Sequence, residues 1–430
     1  MLRRSHRAGL SLPQFAAQAV SRPQIRTSND MNDFVKAFLL ANLLSLVITP
    51  VCIKLAPKIG AMDIPKDNRR VHKKPTPRFG GLAIYAGFIS TAIFLRPLDR
   101  QLVGVYAAAT LMLLVGMADD IWDIPAKLKL VGQLACGVIL WVDSMQIRGM
   151  ANFLPIGPEY ISFSPAVSLV VTLIWIVAIT NCINLIDGLD GLAAGMTLIA
   201  SMAIAYISIY TNRDITLMLI LGVAGACLGF LVFNFNPAKI FMGDSGSNLL
   251  GLLLASVSMI GDTPTKSVTL FATILPMIIF AVPIFDTVFA VVRRTIHHRS
   301  FLEADKGHLH HRILAMGFGQ RRTVLTLYCI CAIMGMAGIL WTMKLKIEAI
   351  VLLLIASVLI FIFLGIRIDE DDLIAAREAA AHVNDPLIQY SSMEEALRAE
   401  EAREESMDFF FMREREKDED AEEGAERNDK

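Results

Sequence analysis

Four polar clusters interrupt the apolar stretches of this chain. They are Asp119-Asp120; Asn181, Asn184, Asp187 and Asp190 at steps of three; Phe241-Met242-Gly243-Asp244-Ser245-Gly246; and His308-Leu309-His310-His311-Arg312. Ionisable groups are costly beside lipid, so carboxylates and imidazoles at the ends of apolar runs point to chemistry. Adjacent carboxylates such as Asp119 and Asp120 repel unless a cation lies nearby, and such a pair can bind Mg²⁺ or act as base and metal partner. The bland alternative is a solvated interfacial pair. Asn181, Asn184, Asp187 and Asp190 drift around a helix by about 60° per step. Gly188 and Gly191 suggest that the helix loosens there and that backbone comes close to a ligand. Amides and carboxylates so placed can read a nucleobase or sugar, or orient a metal's water shell; a polar helix end and loop is the alternative.

Asp244 stands among small residues at the start of an apolar run. A helix N-terminus favours phosphate, and an Asp there can hold a Mg²⁺ that bridges a diphosphate. Phe241, three residues earlier, can stack on a base; the alternative is an N-cap aspartate with turn glycines. His308, His310, His311 and Arg312 lack the cysteine partners and spacing of a zinc site, so phosphate or diphosphate binding suits them better. A positive loop explains Arg293 and Arg294 but not the tight histidine cluster. Arg78-Phe79-Gly80-Gly81, at the end of a basic segment, can bring a cation and bare backbone to the same place. Together these parts suit phosphoryl transfer, which needs a metal and cations on a diphosphate and a positioned nucleophile.

The elements that must carry these groups are membrane helices. The 430 residues are 54% hydrophobic with a mean hydropathy of +0.53, too apolar for a soluble chain of this size. The six cysteines form no CxxC pair, which argues against a disulfide framework or zinc ribbon. Spans of roughly 17–25 residues cross a bilayer. Eleven candidates are predicted: 34–56, 80–96, 101–118, 129–145, 166–183, 192–210, 214–233, 246–261, 267–292, 323–343 and 346–366. The fold class is therefore all-α, a polytopic membrane protein. Pro276 and Pro283 predict a kinked or broken helix in 267–292.

Loop charge predicts orientation. Lys58, Lys66, Arg69, Arg70, Lys73, Lys74 and Arg78 follow the first span, and Arg293, Arg294, Arg299, Lys306, Arg312, Arg321 and Arg322 follow the ninth. Loops of the other parity hold one or two basic residues each, so the odd loops are expected to be cytoplasmic. All four clusters lie in or beside odd loops, which predicts one cytoplasmic site. The early arginines Arg3, Arg4, Arg7, Arg22 and Arg26 conflict with an external N-terminus. A start at Met31 is favoured, over a processed, transit-like leader. The expected organisation is an N-terminal extension over 1–32, untranslated or disordered; a transmembrane catalytic domain over 33–366; and an acidic cytoplasmic tail over 367–430. That tail carries 22 acidic against 9 basic residues, so the remainder is cationic and suits anionic lipids or phosphorylated substrates.

With these residues in view, the chain resembles the polyprenyl-phosphate N-acetylhexosamine-1-phosphate transferases over about 33–366. Asp119-Asp120, NxxNxxDGxDGL at 181–192, FMGDSGS at 241–247 and HLHHR at 308–312 occur in the family's order. VHKKPTPRFGG at 71–81 and ADKGHLHHR are similar to the bacterial undecaprenyl-phosphate N-acetylglucosamine-1-phosphate transferase branch. The resemblance implies transfer of N-acetylhexosamine-1-phosphate, GlcNAc-1-phosphate by preference, from a UDP-sugar to undecaprenyl phosphate. UMP is released, and Mg²⁺, or Mn²⁺ in its place, is the cofactor. It implies Asp244 as the main metal ligand, Asp119 and Asp120 near the lipid phosphate with one a debated general base, and Asp187 and Asn184 supporting the metal–diphosphate site. Asp190 and Phe241 would contact uracil and Lys129 the diphosphate, while His308, His310, His311 and Arg312 would bind phosphate or sugar. Implied partners are a UDP-N-acetylhexosamine, undecaprenyl phosphate, membrane lipid and a homodimer mate, with no nucleic acid. The implied place is the bacterial inner membrane with cytoplasmic catalytic loops.

Rival readings are a phospho-MurNAc-pentapeptide translocase-type transfer and, more remotely, an ion-coupled transporter, whose acids belong at mid-span. A CDP-alcohol phosphotransferase is disfavoured because 187–192 reads Asp-Gly-Leu-Asp-Gly-Leu. A dead transferase scaffold is disfavoured because every polar position is present.

Overall fold

Lipid offers no hydrogen bonds, so each apolar run must satisfy its own backbone, which a helix does within the segment. The computed structural model describes residues 28–64, 75–94, 100–151, 160–260, 284 and 309–365. Its helices are α1 (Ser28–Ile59), α2 (Gly81–Ile89, continued by a 3-10 turn Ser90–Ile93), α3 (Arg100–Trp122) and α4 (Ala126–Val142). They continue with α5 (Pro165–Ile186), α6 (Leu192–Tyr210), α7 (Asp214–Asn234), α8 (Gly243–Met259), α9 (Leu309–Ala315), α10 (Gln320–Thr342) and α11 (Lys346–Gly365). Two short antiparallel pairs complete the described structure: β1 (Met62–Asp63) with β2 (Thr76–Pro77), and β3 (Gly149–Ala151) with β4 (Tyr160–Ser162). The protein is an all-α polytopic membrane protein. Ten of the predicted spans coincide with helices, and 267–292 lies outside the described residues apart from Ile284.

Among the described residues, seven helices are long and apolar enough to cross a membrane: α1 from Met31, α3, α5, α6, α7, α10 and α11 to Phe363. α2, α4 and α8 are shorter, at 9, 17 and 17 residues. α8 is buried along nearly its whole length, Asp244 excepted. It packs against α3 and α5, with α2 and α7 also in contact. α1, by contrast, exposes Val35, Leu39, Leu43, Val47 and Val51, one residue every four. That spacing draws a single apolar stripe along the helix, which suits lipid on that side.

Three predicted span edges shift towards the polar clusters. α3 runs on to Trp122, so Asp119 and Asp120 occupy its last turn; α5 runs to Ile186, so Asn181 and Asn184 are helical and Asp187 caps it; α8 starts at Gly243. Hydropathy stops a span at the first polar residue, whereas here the polar groups of neighbouring helices satisfy one another. A second feature has no hydropathy signal. The chain entering α2 pairs in extended form with the chain entering α8, through Phe241 N–H to Pro77 O (2.8 Å), Gly80 N–H to Phe241 O (3.0 Å) and Gly81 N–H to Met242 O (2.9 Å). This pairing carries Arg78 to the start of α8.

Candidate active site

The last turn of α3 meets the first turn of α8. Gly116, one turn before Asp120, makes that approach close: a Cβ there would stand 2.3 Å from Ser245 Cα and 2.6 Å from Ser245 N. The contact brings the carboxylates of Asp119, Asp120 and Asp244 together, with one oxygen from each within 4.8 Å of the others. Two cations face them. Arg78 places Nη2 2.5 Å from Asp244 Oδ1 and 3.7 Å from Asp119 Oδ2, and Nε 3.1 Å from Asp120 Oδ1. Lys129 Nζ lies 3.1 Å from Asp119 Oδ2 and 3.0 Å from Asp244 Oδ2. Asp120 differs from its neighbours because its oxygens also accept backbone N–H groups, from Asp244 (2.7 Å, Oδ1) and Ser245 (3.0 Å, Oδ2).

Three carboxyl groups thus face two cations. Burial alone would raise the Asp244 carboxyl; its hydrogen bond with Asp119 and the charges of Arg78 and Lys129 outweigh that and hold it below the usual carboxylate range. Burial opposes the charge on Arg78, but Asp120, Asp244 and Asp119 together hold its guanidinium above its ordinary value. The fork geometry of Arg78 spans three carboxylates at once, which a point-charge ammonium cannot do. Arg78→Lys is therefore expected to lower turnover at least about tenfold, roughly 1.4 kcal/mol on the barrier, read as initial rates.

Beneath the ions lies a layer of amides. Asn181 donates to Gln133 Oε1 (3.0 Å), Gln133 Nε2 donates to Asn248 Oδ1 (3.3 Å), and Asn248 donates to the Asp244 carbonyl (2.9 Å). Asn184 donates to Ser247 Oγ (2.8 Å), whose hydroxyl donates on to Gly243 O (3.0 Å). Gln133 and Asn248 were not singled out from sequence. The signal available was one amide apiece inside otherwise apolar runs, Gln133 a turn after Lys129 and Asn248 a turn after Asp244.

Asp187 caps α5 close enough to feel the cluster. Its carboxyl is pushed up to about 8, first by burial and then by the charge of Asp244; Arg78 opposes, and Asp120 and Asp190 add to the rise. Asp190 is engaged elsewhere, its Oδ2 accepting from Asn236 Nδ2 and Ala238 N, both 3.0 Å. Asn236 also meets the start of α10, donating to Gln320 Oε1 (2.6 Å) and accepting from Arg321 Nε on its carbonyl (3.1 Å). Asn234 joins Gly191 N–H (3.1 Å) to the carbonyl of Ile240 (2.9 Å). Asp190 thus braces, from the α5–α6 turn, the loop between α7 and α8 that contains Phe241. His308 lies outside the described residues, and so do the side chains of His310 and His311, which stand on α9; Arg312 on the same helix is half-buried and partnered.

The donor set fits a hard divalent cation. It is all oxygen, it comes from three carboxyl groups, and Asp119 Oδ1 is buried with no hydrogen-bond partner. Mg²⁺ binds through one or two carboxylates together with substrate phosphates. Positive groups beside such a cation are the usual means of holding a diphosphate.

A family pattern described as glycosyl transferase family 4 matches residues 102–262, which include the first three of the four polar clusters. The chain is 40% identical over 309 residues to a Bacillus subtilis (strain 168) protein named "Probable undecaprenyl-phosphate N-acetylglucosaminyl 1-phosphate transferase", covering 71% of this chain and 84% of that one. It is 39% identical over 301 residues to the decaprenyl-phosphate N-acetylglucosaminephosphotransferase of Mycolicibacterium smegmatis (strain ATCC 700084 / mc(2)155), covering 64% and 73%. Identity to the phospho-N-acetylmuramoyl-pentapeptide-transferase of Moorella thermoacetica (strain ATCC 39073 / JCM 9320) is 28% over 324 residues, covering 72% and 98%.

Proposed function

The chain belongs to glycosyl transferase family 4, and from that premise we propose that it transfers GlcNAc-1-phosphate from UDP-GlcNAc to undecaprenyl phosphate, releasing UMP. The observation that carries this reading is the three-carboxylate, two-cation cluster at the ends of apolar helices. A lipid phosphate at a membrane surface and a soluble nucleotide sugar can both reach such a place. The higher identity to the N-acetylglucosamine transferases, 40% against 28%, favours this donor over the muramoyl-pentapeptide one.

An oxygen of the lipid phosphate attacks the sugar-bearing phosphorus of the diphosphate, the bond to the bridging oxygen breaks, and UMP leaves. Bound Mg²⁺ supplies charge neutralisation on the diphosphate oxygens. Asp244 is the residue proposed to hold it, with Asp119 beside it. Arg78 and Lys129 hold phosphate oxygens and orient the diphosphate. Asp187 and Asn184 support this side of the site, Asp190 and Phe241 the uracil side, and His308, His310, His311 and Arg312 bind phosphate or sugar. A lipid phosphate is already mostly ionised near neutral pH, as its second pKa of about 6 in phosphoryl side chains indicates. The chain therefore has to position the nucleophile more than deprotonate it. The loop charges support a site on the cytoplasmic side, and the reading puts it in the bacterial inner membrane at the first membrane step of a cell-envelope polysaccharide.

Incubating the purified protein with labelled UMP and a panel of UDP-sugars tests the reaction and the donor together. Label is expected to enter UDP-GlcNAc when the cognate undecaprenyl-diphospho-sugar is supplied, and to stop on adding EDTA. Exchange confined to UDP-MurNAc-pentapeptide would replace the proposed donor.

A further inference from the structure

Asp119 and Asp120 are adjacent and chemically identical, yet the structure gives them different surroundings. Burial does not separate them, for the side chains of Asp119 and Asp120 are 1% and 0% exposed, against 13% for Asp244; their partners do. Both oxygens of Asp120 are taken by the first turn of α8, through the N–H groups of Asp244 (2.7 Å) and Ser245 (3.0 Å), and Arg78 Nε takes a further place on Oδ1 at 3.1 Å. A carboxylate offers about four lone-pair positions, and three of these are filled. Asp119, in contrast, keeps Oδ1 without a partner. The backbone is shaped to receive the Asp120 carboxylate. Gly243 has φ +69°, and a Cβ on it would stand 2.4 Å from Asp120 Oδ2. Only glycine takes that conformation without strain and leaves that space. The free N–H groups of a helix start need acceptors, and here a neighbouring helix supplies one carboxylate for two of them.

We infer that Asp120 is a positioning residue: it clamps the first turn of α8 from α3 and so fixes the direction in which Asp244 presents its carboxylate. Asp120 then acts through Asp244 instead of touching metal or substrate, and the acidic pair divides its work, with the unpartnered oxygen of Asp119 left for the metal. The inference rests on the proposal that Asp244 holds the metal.

The test uses full-length protein in detergent, with Mn²⁺ alone as the probe, followed by electron paramagnetic resonance, alongside melting temperature and turnover. Asp120→Asn keeps one acceptor oxygen and Asp120→Ala keeps none. Loss of a residue supporting a metal ligand typically costs about 10–100-fold in affinity. Mn²⁺ affinity is therefore expected to fall about tenfold in Asp120→Asn and further in Asp120→Ala. Turnover of Asp120→Asn should recover in part at raised metal concentration, with KM for the UDP-sugar unchanged. Wild-type Mn²⁺ affinity in Asp120→Asn overturns the clamp, whether turnover is lost or kept; lost turnover that added metal does not restore would mark a direct catalytic role. If Asp120→Ala does not fold, Asp120→Ser, which retains one acceptor, replaces it under the same expectations. Asp244→Asn in the same titration separates the two ideas. Undiminished Mn²⁺ binding there removes the metal assignment itself, whereas loss there with retention in Asp120→Asn removes the clamp alone.

Discussion

Replacing Asp244 with alanine is expected to abolish Mg²⁺-dependent release of UMP from UDP-N-acetylglucosamine and undecaprenyl phosphate. The expected fall is about 10³-fold or more, roughly 4 kcal/mol on the barrier. Two losses combine. The carboxylate proposed to hold the metal disappears, and Arg78 and Lys129 lose the partner that bridges them at 2.5 and 3.0 Å. Both cations would then fall back on Asp119 and Asp120, pulling positive charge away from where the diphosphate must lie. The helix itself should survive, because Asp120 accepts from the backbone of residue 244 and not from its side chain. A melting temperature near wild type with turnover at background is thus the expected pair of measurements. Wild-type turnover in the alanine variant would sink the metal assignment.

The second large effect is expected at a residue with no functional group. Gly116→Ala places a methyl carbon 2.3 Å from Ser245 Cα and 2.8 Å from the Asp244 carbonyl carbon. The obstructing atoms are backbone, so no side-chain rotation relieves the contact and α3 must move off α8. Forced overpacking of this kind costs about 1–3 kcal/mol, expected as a lower melting temperature. The functional loss should be larger in proportion, because the displaced turn carries Asp244 while the displacing one carries Asp119 and Asp120. Gly319→Ala is the matched control: a Cβ at that position meets nothing within 4 Å. Gly319 is the N-cap of α10, where alanine for glycine costs about 1 kcal/mol or less without any clash. Equal melting temperature and turnover in Gly116→Ala and the control would show that the close approach of α3 to α8 does not set the site.

Particular residues show where sequence sufficed. Asp119, Asp120 and Asp244 stood out because carboxylates between apolar runs are costly, and the structure brings the three together. Lys129 and Arg78, drawn from a family resemblance and a basic segment, fall on the same cluster. Gln133 and Asn248 passed unnoticed, since a single amide in an apolar run has no periodic pattern; only the partner across the helix interface gives it meaning. The extended pairing of Pro77–Gly81 with Phe241–Met242 was equally silent, because backbone hydrogen bonds leave no mark on side-chain type.

The amino-acid sequence by itself determined the membrane class, the places of ten of the helices, and the acidic, amide and basic positions that gather at one site. Those properties are local: hydropathy decides which segments enter lipid, and the need to satisfy backbone within a segment makes them helices. The tertiary structure alone decided which oxygen of which aspartate is free. Asp119 and Asp120 are indistinguishable in sequence. They differ because α8, more than a hundred residues later, sets two N–H groups of its first turn against one carboxylate and leaves an oxygen of the other without a partner.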